Sequence, residues 1–116
     1  MATPQLTINL AQGSVSFAFS PDAARDLQKA LAQLMQSLKA VTQSSGSSGK
    51  PNPQKSMEYR FSDEVFLEVF CNPNIYPSPF AAKVLVTVRS ERIRLSTEVE
   101  LTRLIEDLNQ YLEQVS

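Results

Sequence analysis

The stretch ERIRLSTEVELTRLIEDLNQYLE, residues 91–113, passes from one kind of hydrophobic pattern to another. Residues 92–95, RIRL, alternate like a strand, with Ile93 and Leu95 on one side and Arg92 and Arg94 on the other. Thr97 and Glu100 then have the spacing of a capping box, in which the hydroxyl and carboxylate satisfy free amides at a helix start. Beyond them Leu101, Leu104, Leu108, Tyr111, Leu112 and Val115 form one stripe at helical spacing. The stretch reads first as a helix that covers a core. Its other side, Arg103, Glu106, Asp107, Gln110, Glu113 and Gln114, reads as a solvated surface. There Arg103 lies three residues from Glu106 and four from Asp107, within reach of modest helix pairs.

A second helix of the same kind lies upstream. Ser20 is a candidate N-cap, Pro21 fits the first helical position and Asp22 suits the helix dipole. Ala24, Leu27, Leu31, Leu34, Met35 and Leu38 make its stripe. A shift of 77 residues lays these onto the last helix, Ala24 on Leu101 through Leu38 on Val115, and Ser20 on Thr97. Two explanations stand: duplication of a strand–strand–helix unit, and the periodicity common to all amphipathic helices.

Alternating segments supply six strands. Residues 6–10 and 15–19 read as a hairpin around AQGS. Residues 57–61 and 64–70 flank Ser62 and Asp63, and residues 82–88 and 92–95 flank a turn at Ser90 and Glu91. The expected fold is therefore α+β: a two-layer sandwich in which an antiparallel sheet of about six strands carries two long helices on one face, in the order ββα-ββββα. One domain is expected over residues 1–116, with halves 1–41 and 57–116. The Ser-, Gly- and Pro-rich residues 42–56 read as a flexible linker, and SSGSSG within them has the composition of an engineered one.

Composition narrows the chemistry. Eleven basic residues against twelve acidic ones give a net charge of −1, with no overall pull toward nucleic acid or anionic lipid. The chain has no His, and so lacks the commonest general base and metal ligand. Its single cysteine, Cys71, cannot close an internal disulfide. Cys71 falls on the inward parity of Val65, Leu67 and Val69 and reads as a small buried hydrophobe, with no base nearby to activate it. The three glycines, Gly13, Gly46 and Gly49, form no phosphate loop or dinucleotide fingerprint. No catalytic residue, metal or cofactor is expected. The N-terminal residues lack the charge and apolar run of a secretory signal, and no apolar stretch reaches spanning length, so a cytoplasmic protein is expected.

Two features suit binding. CNPNIYPSPF, residues 71–80, is a long connection stiffened by Pro73, Pro77 and Pro79 and carrying Ile75, Tyr76 and Phe80. Such side chains either plug the open end of the core or anchor a partner at little entropic cost. The second feature is VRSERIRLS with the strand before it: Val84, Val86 and Val88 inward put Lys83 and Arg89 outward, and Ile93 and Leu95 inward put Arg92 and Arg94 outward. Glu64 and Glu68 share that parity and are expected to neutralise them across strands, the alternative being a patch for an acidic partner or for phosphate. Phe66 and Phe70 also point outward, which implies either a covered sheet or an exposed aromatic and cationic surface.

Residues 91–113, about a fifth of the chain, together with the Gln- and Pro-rich colouring of the rest, resemble small soluble accessory proteins of cyanobacteria and plastids. These include peripheral subunits of photosynthetic electron-transfer complexes. The resemblance implies a non-catalytic subunit or assembly factor on a larger complex, such as the thylakoid NAD(P)H dehydrogenase-like complex, and it transfers no functional residue. The expected function is a protein-binding module, with Tyr76 and Phe80 as anchors and Arg89, Arg92 and Arg94 steering an acidic partner. Two other readings stand beside it: a ligand carrier or enzyme with an apolar pocket lined by Phe17, Phe19, Val65 and Leu67, and a homodimer formed through Phe66 and Phe70.

Overall fold

In a computed structural model, which describes residues 4–44 and 53–115, the first hairpin joins Gln5–Leu10 (β1) to Gly13–Ala18 (β2). Leu10 pairs with Gly13 across a two-residue turn, and Gly13 has φ +115°, a conformation that a side chain would strain. Alternation places Leu6, Ile8 and Phe17 inside. Pro21–Ser44 (α1) follows. Its start is the expected one, since the Ala23 amide donates to Ser20 Oγ at 3.1 Å. Ala23, Ala24, Leu27, Leu31, Leu34 and Leu38 are its buried stripe. The helix runs past the expected end at residue 41, and most of the expected linker, residues 45–52, lies outside the described residues.

Met57–Ser62 (β3), Phe66–Cys71 (β4), Lys83–Arg89 (β5) and Arg94–Glu100 (β6) form an antiparallel meander, and Leu101–Val115 (α2) closes the fold. Among the described residues, six antiparallel strands and two α-helices make the class α+β, as expected. The single six-stranded sheet is not found: β1 and β2 pair only with each other, and the other four strands form a second sheet. Strand alternation reveals which side is buried, but it carries no information about which neighbour completes a sheet.

Both sheets and both helices share one core. The inner face of the larger sheet presents Leu67, Val69 and Cys71 from β4, Val84, Val86 and Val88 from β5 and Val99 from β6. Phe19 lies at the junction, with ring centroids 5.8 Å from Phe17, 4.9 Å from Phe61 and 6.3 Å from Tyr111. These rings fill the place where a pocket lined by Phe17, Phe19 and Leu67 was expected, while Val65 lies in the β3–β4 turn.

The capping box at Thr97 and Glu100 is corrected. Thr97 pairs with Val86 inside β6, and the strand passes into α2 at Leu101 without an intervening loop. The Leu101 amide donates to the Ala82 carbonyl at 3.1 Å, so the first helical residue is satisfied by the residue that leads into β5 instead of a cap. Ile93, expected inside, is 68% exposed. It belongs to the turn, where the Ser90 amide donates to its carbonyl at 2.9 Å, and the strand begins at Arg94.

The solvated reading of Asp107 is also corrected. Asp107 is buried and accepts two hydrogen bonds from Asn9, one from the backbone amide and one from Nδ2, each 2.8 Å long. This clamp ties α2 to the edge of β1 that β2 leaves open. The Tyr111 hydroxyl donates to the Phe19 carbonyl beside it. On the far side the Tyr59 hydroxyl donates to the Ala23 carbonyl of α1 at 3.0 Å. Burial, with Asp26 adding to it, pushes the Tyr59 phenol up to about 12.

Candidate binding surfaces

The connection between β4 and β5 is built as a rigid display. Pro73–Ile75 and Pro79–Ala81 are single 3₁₀ turns, each entered through proline. Asn72 caps the first by accepting the Asn74 amide at 3.1 Å, and Pro73 is buried. Asn74 also grips the chain leading into β3: its Oδ1 accepts the Gln54 amide at 2.7 Å and its Nδ2 donates to the Gln54 carbonyl at 2.8 Å. Tyr76 packs against the core. Burial, with Cys71 and Glu98 close by, pushes its phenol up, and a hydrogen bond with the Lys83 backbone acts the other way. Ile75 and Phe80 are left 66% and 84% exposed. They do not plug the core; Tyr76 and Pro73 do.

The expected cationic cluster is divided. Lys83 opens β5 next to this loop and stands opposite Glu100. Arg89 ends the same strand, and Arg92 and Arg94 belong to the turn and strand that follow. Six residue steps of strand separate Lys83 from Arg89, about 20 Å. The seven expected binding residues therefore fall into two groups: Ile75, Tyr76, Phe80 and Lys83 at one end of the sheet, and Arg89, Arg92 and Arg94 at the other.

The outer face of the larger sheet has its own order. Register sets Ser62, Phe66, Arg89 and Arg94 in one row and Arg60, Glu68, Thr87 and Ser96 in the next. Glu58, Phe70, Leu85 and Glu98 make the third row. The expected neutralisation by Glu64 and Glu68 is not what is found. Glu64 lies exposed in the turn before β4, and Glu68 receives Arg60 Nε at 2.8 Å. Arg89 stands directly opposite Arg94 and lies over the Phe66 ring at 4.4 Å. Among the described residues no carboxylate comes within ion-pair distance of Arg89 or Arg94. A groove of about 400 Å³ runs between Arg60, Phe66, Glu68, Thr87, Arg89 and Arg94.

Reactive groups are scarce. Burial pushes the Cys71 thiol up to about 11, which keeps it protonated and unreactive at neutral pH. Among the described residues, no three Cys, Asp or Glu side chains come together to hold a metal, and no helix is long and apolar enough to cross a membrane. No buried side-chain nitrogen or oxygen among them lacks a hydrogen-bond partner. Compared with known protein families, with curated proteins and with solved structures, the chain matches none.

Proposed function

We propose that this chain is a non-catalytic binding module that docks on a protein partner through the Ile75–Phe80 loop. The observation that carries the reading is the pairing of exposure with rigidity. Two large apolar side chains project from a loop held by three prolines, two 3₁₀ turns and the Asn74–Gln54 clamp. A free surface gains nothing from holding such side chains still, whereas a docking surface loses little entropy when it binds. The protonated Cys71 and the ring-filled core around Phe19 favour binding over chemistry.

The partner surface for this loop is apolar, with mixed charge around it from Lys83, Glu98 and Glu100. The resemblance of residues 91–113 to photosynthetic accessory subunits supports a larger assembly, such as a thylakoid NAD(P)H dehydrogenase-like complex, as the place where such a subunit docks. An acidic partner for Arg89, Arg92 and Arg94 needs a separate contact at the opposite end of the sheet.

Affinity capture from native lysate with the wild-type chain and with Ile75→Ser/Phe80→Ser tests this reading. A defined partner recovered by the first and lost with the second supports it. Equal recovery by both moves the interface elsewhere.

A further inference from the structure

The outer face of the four-stranded sheet carries cations in one row and carboxylates in another, and the two rows are complementary. One row ends in Arg89 and Arg94, and the row four residues along the strands ends in Glu98, with Glu58 at its other side. Phe66 shares the first of these rows, and Phe70 and Leu85 lie within the second, Leu85 being 42% exposed. Arg89 and Arg94 face each other across strands, an arrangement that is unfavourable without a counter-charge. The described part of the chain provides neither of them with a carboxylate partner.

We infer that a second copy of this chain packs on this face, sheet against sheet, about a twofold axis that lies along the row Arg60, Glu68, Thr87 and Ser96. Rotation about that axis reverses the strand direction and keeps the strand order. It therefore brings Arg94 of each copy over Glu98 of the other, and Phe66 over Phe70. A twofold running along the strands through the middle of the sheet would instead stack Glu98 of each copy on Glu58 of the other. The axis row suits its place. Arg60 and Glu68 neutralise each other at 2.8 Å, and Thr87 and Ser96 are small and joined by a 3.1 Å hydrogen bond. The groove of about 400 Å³ beside Thr87 meets the same groove of the partner copy across the axis. The contact is isologous, so each charge pair occurs twice. Two sheets stacked in this way pack about 10 Å apart at roughly 30°. Four strands of about seven residues give a footprint of roughly 400 Å² in plan, about half the roughly 800 Å² per partner of a stable interface and so that of a weak, transient one. The dimer is therefore expected to dissociate on dilution.

Sedimentation equilibrium of the wild type from roughly 5 to roughly 500 μM, with Arg94→Glu and Glu98→Arg as variants, tests the arrangement. The wild-type mass is expected to rise with concentration from 12.9 kDa toward twice that value. Each single variant places like charges at both symmetric contacts and is expected to weaken self-association at least tenfold. Both positions are exposed, and Arg94→Glu removes the like pair with Arg89, so the monomer stays folded. Mixed one to one, the two variants restore both attractive pairs and are expected to associate at wild-type concentrations. A wild type that remains at 12.9 kDa throughout overturns the inference, as do single variants that associate like the wild type. Folded, monomeric variants whose mixture also stays monomeric overturn the twofold arrangement.

Discussion

Asp107→Ala is expected to be costly although it lies on the polar side of an amphipathic helix. The residue is 8% exposed and its carboxylate accepts both Asn9 donors at 2.8 Å. Hydrogen bonds to charged groups contribute roughly 1.5–3 kcal/mol each, and the two here share one anchoring geometry. Their joint loss is expected to cost about 2.5 kcal/mol. For a domain of this size that corresponds to a drop in Tm of about 10 °C. Asn9→Ala removes only the side-chain donor and keeps the backbone bond, so about 1 kcal/mol is expected from it. In the double variant the two losses overlap, with a coupling energy of about 1 kcal/mol. Urea unfolding followed by far-ultraviolet circular dichroism measures all three, with exposed Glu106→Ala as the control at under about 0.5 kcal/mol. If Asp107→Ala unfolds like Glu106→Ala, α2 is not fastened to β1 by this clamp.

Tyr59, whose phenol is pushed up to about 12, contributes stability that is present below its unfolded value of about 10 and is lost as pH rises through about 12. Tyr59→Phe is expected to lower stability by about 1 kcal/mol at neutral pH and to flatten the decline between those two values, as read by urea unfolding across pH. Cys71 is expected to react with a thiol reagent at pH 8 at least about 100-fold more slowly in the folded protein than in urea, since it is buried and its thiolate is scarce; equal rates contradict its placement. Phe19→Ala removes the ring at the centre of the aromatic cluster and is expected to cost about 3–5 kcal/mol in the same unfolding assay.

Local pattern made the elements legible. Alternation found all six strands, and Ser20 with Pro21 marked the start of α1. The start of α2 was misplaced because Thr97 and Glu100 satisfy a capping pattern while Leu95, Thr97 and Val99 also continue the strand alternation. Pairing with β5 decides between them, and pairing is not local. The split into two sheets was hidden for the same reason. Asp107 was read as solvated because helical periodicity assigns a face without knowing that a strand edge with a free amide lies against it. In the candidate surface, the outward parity of Phe66, Phe70, Arg89 and Arg94 was readable from period two alone. The separation of Lys83 from the arginines was also present in the seven residues of β5, but grouping residues by charge concealed it. Whether Ile75 and Phe80 point inward depends on the 3₁₀ turns around them, which the prolines permit without determining.

The docking role of the Ile75–Phe80 loop is tested by capture from native lysate, comparing the wild type, Ile75→Ser/Phe80→Ser and Arg89→Ala/Arg94→Ala by quantitative mass spectrometry. All three are expected to be folded, because the replaced side chains are exposed. One defined partner is expected with the wild type and with the arginine variant, reduced at least about tenfold with the loop variant, a loss of roughly 1.4 kcal/mol or more in binding. A partner retained equally by the loop variant, or no saturable partner with any of the three, contradicts that role.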